Sequence, residues 1–126
     1  MNKIILLKTI DTIVGPFILS ILNKRRIPQA SVQVRSVLFI RPGGIGDAVY
    51  LIPILSLLKQ TYPDATIDVL AEQRNAAIFL LSPHVRTIFH YDNPRELLAC
   101  LKMRYDVVID SEQWHRLSAV VAAFIK

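Results

Sequence analysis

What this sequence lacks narrows its reading first. It has one cysteine, Cys100, so an internal disulfide and any cysteine-based metal site are excluded. On an apolar helical stretch such a residue reads as a small buried hydrophobe. Its three histidines, His84, His90 and His115, lack the close spacing of metal ligands, and no metal site is expected. Two phosphate signatures are missing. Without Gly-Lys-Ser/Thr there is no Walker loop, and without Gly-x-Gly-x-x-Gly a dinucleotide fingerprint is weak. No apolar run reaches the ~20 uninterrupted residues of a spanning helix, and there is no internal repeat or low-complexity tract. Acidic residues are the scarcer charge, 10 against 15 basic. The resulting net charge of +5 and pI near 9.7 point to an anionic partner: nucleic acid, a phosphorylated ligand or a membrane surface.

What is present suits a single domain with a real core: 126 residues, 52% of them hydrophobic, with mean hydropathy +0.39. The chain divides near residue 30. Before it, Ile10, Ile13, Val14, Phe17, Ile18, Ile21 and Leu22 recur at helical spacing. Lys8, Asp11 and Pro16 interrupt the run, and the cluster Lys24, Arg25, Arg26 closes it. A cleaved signal peptide is disfavoured, because the basic cluster follows the apolar stretch and no small-residue cleavage site precedes it. The pattern predicts an amphipathic helix within residues 1–30, spanning 4–23. It would lie in a membrane interface with Lys24, Arg25 and Arg26 on anionic headgroups. The alternative is a helix packed on the domain itself.

From Ser36 onward strand and helix alternate. Apolar, β-branched runs predict strands at Ser36–Ile40, Thr66–Ala71, Val85–Tyr91 and Asp106–Asp110. Helical spacing predicts Ala48–Gln60, Gln73–Leu81, Pro94–Met103 and Arg116–Ile125. Four such units in series over residues 31–126 predict an α/β fold, a Rossmann-like doubly wound parallel sheet.

Between the first strand and helix lies "RPGGIGDAVYLIP", residues 41–53. Glycines here let backbone N–H groups and a helix N-terminus face a ligand closely at the carboxyl edge of the sheet. Asp47 closes the turn. Its helix-capping reading, worth about 1 kcal/mol, stands beside a functional one. Arg41 reads either as a holder of phosphate or carboxylate or as a solvated loop charge. Asp110, Glu112, His115 and Arg116 gather at the end of the fourth strand, on the same edge; they line a groove or merely fix the loop. Trp114, beside Leu117, stacks on a sugar ring or packs.

The glycine turn "GGIGDAVYLIP", with "YPDATIDVLAEQRNAAIF" and "YDVVIDSEQWHRLSAVVAAF", resembles glycosyltransferase family 9, the heptosyltransferases of lipopolysaccharide core assembly. The leader "LKTIDTIVGPFILSIL" is similar to one found in a subgroup of that family. Pro42 stands where the family more often has an apolar residue. The resemblance implies the GT-B architecture, in which two Rossmann-like domains face each other across a cleft; this chain matches the acceptor-side half, and the donor-binding domain has no counterpart in it. It implies inverting transfer of a heptose, or a related sugar, from an ADP-sugar to a lipid-linked lipopolysaccharide-core acceptor, here in a truncated or split form. No metal or other cofactor takes part, and no nucleic acid. Asp47 matches the general base, while Arg41, Gly43, Gly44, Gly46, Asp110, Glu112 and Arg116 fall on the acceptor side. The implied setting is cytoplasmic, peripheral on the inner membrane face. A non-catalytic acceptor-binding or membrane-associated module, and the nucleotide-binding Rossmann domain of an oxidoreductase, are the competing classes.

Overall fold

A computed structural model describes residues 33–112 and 116–125, with side chains in the last segment from Ser118. The expected interface helix and its Lys24, Arg25 and Arg26 lie outside the described residues, as do Trp114 and His115; Arg116 is described in its backbone alone.

The two central strands are apolar along most of their length because helices cover both faces of the sheet. In β1 (Ser36–Arg41), Val37, Leu38, Phe39 and Ile40 are all buried. Alternation then sorts them. Val37 and Phe39 join Ile67 and Val69 of β2 (Thr66–Ala71) under α1 (Ile45–Thr61) and α2 (Gln73–Phe79). Leu38, Ile40 and Leu70 meet Cys100 of α3 (Pro94–Leu101) and Val121 and Ile125 of α4 (Arg116–Ile125) on the other face. With β3 (Val85–His90) and β4 (Val107–Asp110) this makes a four-stranded, wholly parallel sheet in the order β3-β2-β1-β4. The fold is the predicted Rossmann-like α/β architecture.

That order positions the site. The chain leaves β1 toward β2 and β3 on one side, then crosses back to place β4 on the other. The loops after β1 and β4 therefore part at the carboxyl edge, the switch point where open α/β sheets bind ligands.

Element ends differ from the sequence expectation in instructive ways. Helix α1 begins at Ile45 rather than Ala48, its first turn closing with Ala48 N–H on the Gly44 carbonyl at 3.3 Å. Gly46 reads as loop from its sequence, but here it is already helix. β1 extends to Arg41, which pairs in register with Ala71. α2 stops at Phe79, not Leu81, and α3 at Leu101, not Met103. There Leu80, Leu81 and Met103 bond three residues back, the tighter pattern that ends a helix. β3 ends at His90, one residue before Tyr91. β4 starts at Val107; just before it the Asp106 carboxylate accepts from Arg35 N, Ser36 N and Ser36 Oγ. Those bonds hold Asp106 below the usual carboxylate range.

One irregularity carries a polar cluster. The β2–β3 register passes from Ile67 opposite Val85 to Asp68 opposite Thr87, leaving Arg86 as the extra residue. Its guanidinium grips the fully buried Asp68 with two bonds, 3.0 Å from Nε and 2.6 Å from Nη2. Tyr105 donates to the same carboxylate at 2.8 Å. Burial pushes the Tyr105 phenol far up, so it remains a donor.

Candidate functional site

The site is built where β1 gives way to α1. Gly43 has φ +116, a conformation closed to ordinary side chains, and a Cβ there would press 3.3 Å from the Glu112 carboxylate. A Cβ on Gly44, the N-cap of α1, would sit 3.3 Å from Asp47 Oδ2. The two glycines thus make room first for the protein's own carboxylates. At Gly46 a Cβ would meet nothing within 4 Å.

Arg41 organises the rest. Its Nη1 donates to the Ser111 carbonyl at 2.7 Å and its Nη2 to Asp47 Oδ2, so one guanidinium joins the loop after β1 to the loop after β4. Ser111 is itself tied to the Ile40 carbonyl through its N–H at 3.1 Å and its hydroxyl at 2.9 Å. The Arg41 side chain is only 11% exposed, whereas that of Asp47 is 63% exposed. Asp47 lies in the first turn of α1, near the positive end of its dipole. Asn75, fully buried in α2, donates to the Arg41 carbonyl at 3.1 Å. Among the described residues, Asn75 Oδ1 and Arg41 Nε have no hydrogen-bond partner.

Asp110 and Glu112 form the opposite wall. Burial pushes the Asp110 carboxyl above its ordinary range, against the pull of bonds from the Glu112 N–H and the Ser118 hydroxyl. The neighbouring Glu112 charge pushes the same way, and Arg41 opposes it. Arg41, Asp47, Asp110, Ser111 and Glu112 enclose, with Tyr50 and Leu51, an open cleft of about 530 Å³. Three carboxyl groups against one guanidinium that is already engaged make this a poor host for an anion. They suit hydroxyl groups, which donate to carboxylates. Among the described residues no group of His, Cys, Asp and Glu side chains is arranged to hold a metal ion.

Six of the sequence candidates therefore meet here: Arg41, Gly43, Gly44, Asp47, Asp110 and Glu112. Gly46 lies in the same helical turn without lining the cleft, and Arg116 opens α4. Arg41, read from sequence as an anion holder or a solvated loop charge, has its bonds to Asp47 and Ser111. Tyr50, Ser111 and Asn75 were not anticipated. Tyr50 could have been found by its place one turn beyond Gly46; no sequence signal marks Asn75.

No family model matches the chain. It is similar to lipopolysaccharide heptosyltransferase 3 of Escherichia coli K12, with 32% identity over 82 residues, 55% of this chain and 24% of that protein. A second Escherichia coli heptosyltransferase 3 is 29% identical over the same length. The chain thus spans about a quarter of the length of these curated relatives. Among solved structures, the Escherichia coli heptosyltransferase WaaC with ADP matches 60% of this chain and 27% of its own at TM-score 0.55 and 23% identity. A family 9 glycosyltransferase from Veillonella parvula matches 79% of this chain and 32% of its own, at TM-score 0.64 and 15% identity. In sequence the chain is similar to part of a lipopolysaccharide heptosyltransferase, and in fold to heptosyltransferase and family 9 glycosyltransferase structures.

Proposed function

We propose that this chain is the acceptor-side half of an inverting GT-B glycosyltransferase. In this reading it serves transfer of a heptose, or a related sugar, from an ADP-sugar to a lipid-linked lipopolysaccharide-core acceptor. The observation that carries the reading is the exposed Asp47 carboxylate held over a hydroxyl-suited cleft by a buried arginine. The acceptor hydroxyl attacks the anomeric carbon, the bond from that carbon to the departing ADP breaks, and the hydroxyl proton passes to Asp47. Arg41 occupies Oδ2, so Oδ1 takes the proton. Asp110 and Glu112 orient the acceptor through its other hydroxyls. The relative solved with ADP supports a nucleotide-sugar donor, held by the half of the enzyme facing this one.

The test joins the chain to a donor-binding half and compares Asp47→Asn with the parent. Turnover should fall by about 10²-fold or more with little change in melting temperature; near-normal turnover removes Asp47 from the chemistry.

Residues 4–23, with Lys24, Arg25 and Arg26, are proposed to hold the protein on the inner face of the cytoplasmic membrane. Such attachment would be peripheral, because Lys8, Asp11 and Pro16 interrupt the apolar run. Deleting residues 1–30 should release the protein from anionic vesicles, and salt should weaken binding. Unchanged binding after deletion ends this part of the reading.

A further inference from the structure

Asp47 and Tyr50 stand three residues apart on α1, the spacing that sets two side chains next to each other on one helix face. The Tyr50 residue is 78% exposed and lines the cleft beside the carboxylate. It takes no part in the core, where α1 buries Ala48, Leu51 and Leu55 instead. An open aromatic ring among a few polar groups is the make-up of a small-molecule site. Tyrosine brings to it a rigid, amphipathic contact face with little side-chain freedom to lose. Charge narrows what that ring can meet. The lining sets Asp47, Asp110 and Glu112 against Arg41. Even with Asp110 protonated, as its burial favours, the lining stays net negative. Arg41 can do little for an incoming anion. Its Nη1 and Nη2 are bonded to Ser111 and Asp47, its Nε is buried, and the side chain is only 11% exposed. A phosphate or carboxylate brought here gives up water and meets like charges, and the lining has no second cation among the described residues.

We propose that Tyr50 and the carboxylate wall make this cleft selective for an uncharged sugar ring. The C–H face of the sugar lies on the Tyr50 ring, and its hydroxyls donate to Asp47 and Glu112. A sugar carrying phosphate or carboxylate is turned away. The inference rests on reading the cleft as the acceptor site; it adds the chemical class of the acceptor ring and names Tyr50 and Glu112 as the residues that determine it. Their parts differ. Tyr50 attracts any sugar of the right shape, whereas Glu112 acts against the wrong one, and selectivity needs repulsion of the competitor as much as attraction of the ligand.

The experiment uses the whole 126-residue chain, with no donor present, and two probes: a methyl heptoside and its monophosphate. Saturation-transfer NMR reads their affinities. At low salt the neutral heptoside should bind at least about tenfold more tightly than the phosphate, and added salt should shrink the difference. Tyr50→Leu keeps apolar bulk without the ring and should weaken the neutral probe about fivefold. Tyr50→Phe should restore it, and both variants should keep the parent melting temperature because the position is exposed. Glu112→Gln should narrow the gap by admitting the phosphate. Phosphate binding equal to or tighter than that of the neutral probe overturns the selectivity. Unchanged heptoside binding in Tyr50→Leu overturns the role of the ring. Binding of neither probe overturns the inference as a whole, while the transfer reading is decided separately by the turnover of Asp47→Asn in the joined enzyme.

Discussion

Two arginine–aspartate pairs stand on neighbouring strands, built inside out with respect to each other. In Arg86–Asp68 the carboxylate has no exposure and the guanidinium is 47% exposed. In Arg41–Asp47 the guanidinium is the interior partner and the carboxylate faces solvent. The first joins β2 to β3 across 18 residues and the second joins β1 to the first turn of α1 across six, and only the second turns its carboxylate to solvent. Which partner faces water separates a structural clamp from a presented carboxylate. A buried carboxylate has its acceptor sites filled by Arg86 and Tyr105. An outward one, steadied at a single oxygen, has one left.

The contrast breaks most readily at Arg86. Arg86→Ala leaves a fully buried charge without its counter-ion and should cost about 3–5 kcal/mol, read by denaturant unfolding. Asp68→Ala should cost less, about 1–3 kcal/mol, because Arg86 can turn to water and the Tyr105 hydroxyl alone loses its acceptor. The reverse ranking would contradict the inside-out description. Next in size is the turnover loss in Asp47→Asn, about 2.7 kcal/mol of barrier for 10²-fold.

The mirror of the Arg86 experiment is smaller. Asp47→Ala strands a mostly buried guanidinium that keeps its Ser111 bond, and should cost about 1–2 kcal/mol. Arg41→Ala releases Asp47 into water and should cost less through that ion pair.

The smallest effect sharpens the wall opposite Asp47. Because the folded chain holds the Asp110 proton more tightly than the unfolded one, its ionisation costs stability. That cost is absent below the ordinary carboxylate pKa and grows as pH rises through the folded value. Asp110→Asn should therefore compare more favourably with the parent at neutral pH than near pH 4, as melting temperatures will show. An unchanging difference would mean that burial does not act on this carboxyl.

Much of this was legible because it is local. Continuous apolar runs such as Val37–Ile40 announce strands covered on both faces, and three glycines before an apolar helix announce the ligand edge of the sheet. The ends of elements were less legible. Gly46 and Asp47 read as turn residues by propensity, yet packing of Ala48 and Leu51 on β1 draws them into the helix. The polar partnerships were hidden altogether. Arg86 meets Asp68 across 18 residues and Arg41 meets Ser111 across 70, and neither distance leaves a periodic trace. Arg41 stands at a strand end beside glycines, where an arginine meant for an anion and one meant for a neighbouring aspartate look alike.

That 70-residue span also sets an order of events in time. Strands β1, β2 and β3 with α1 and α2 occupy one continuous stretch, from Ser36 to His90, and can pair while the remainder is still being synthesised. β4 must then close a long loop onto β1, Val107 opposite Val37, the kind of distant contact that forms slowly. Ser111, Glu112 and the Arg41 clamp arrive with it. A nascent chain halted before Ser111 would carry the glycine turn and Asp47 in place, and have no cleft for them to serve.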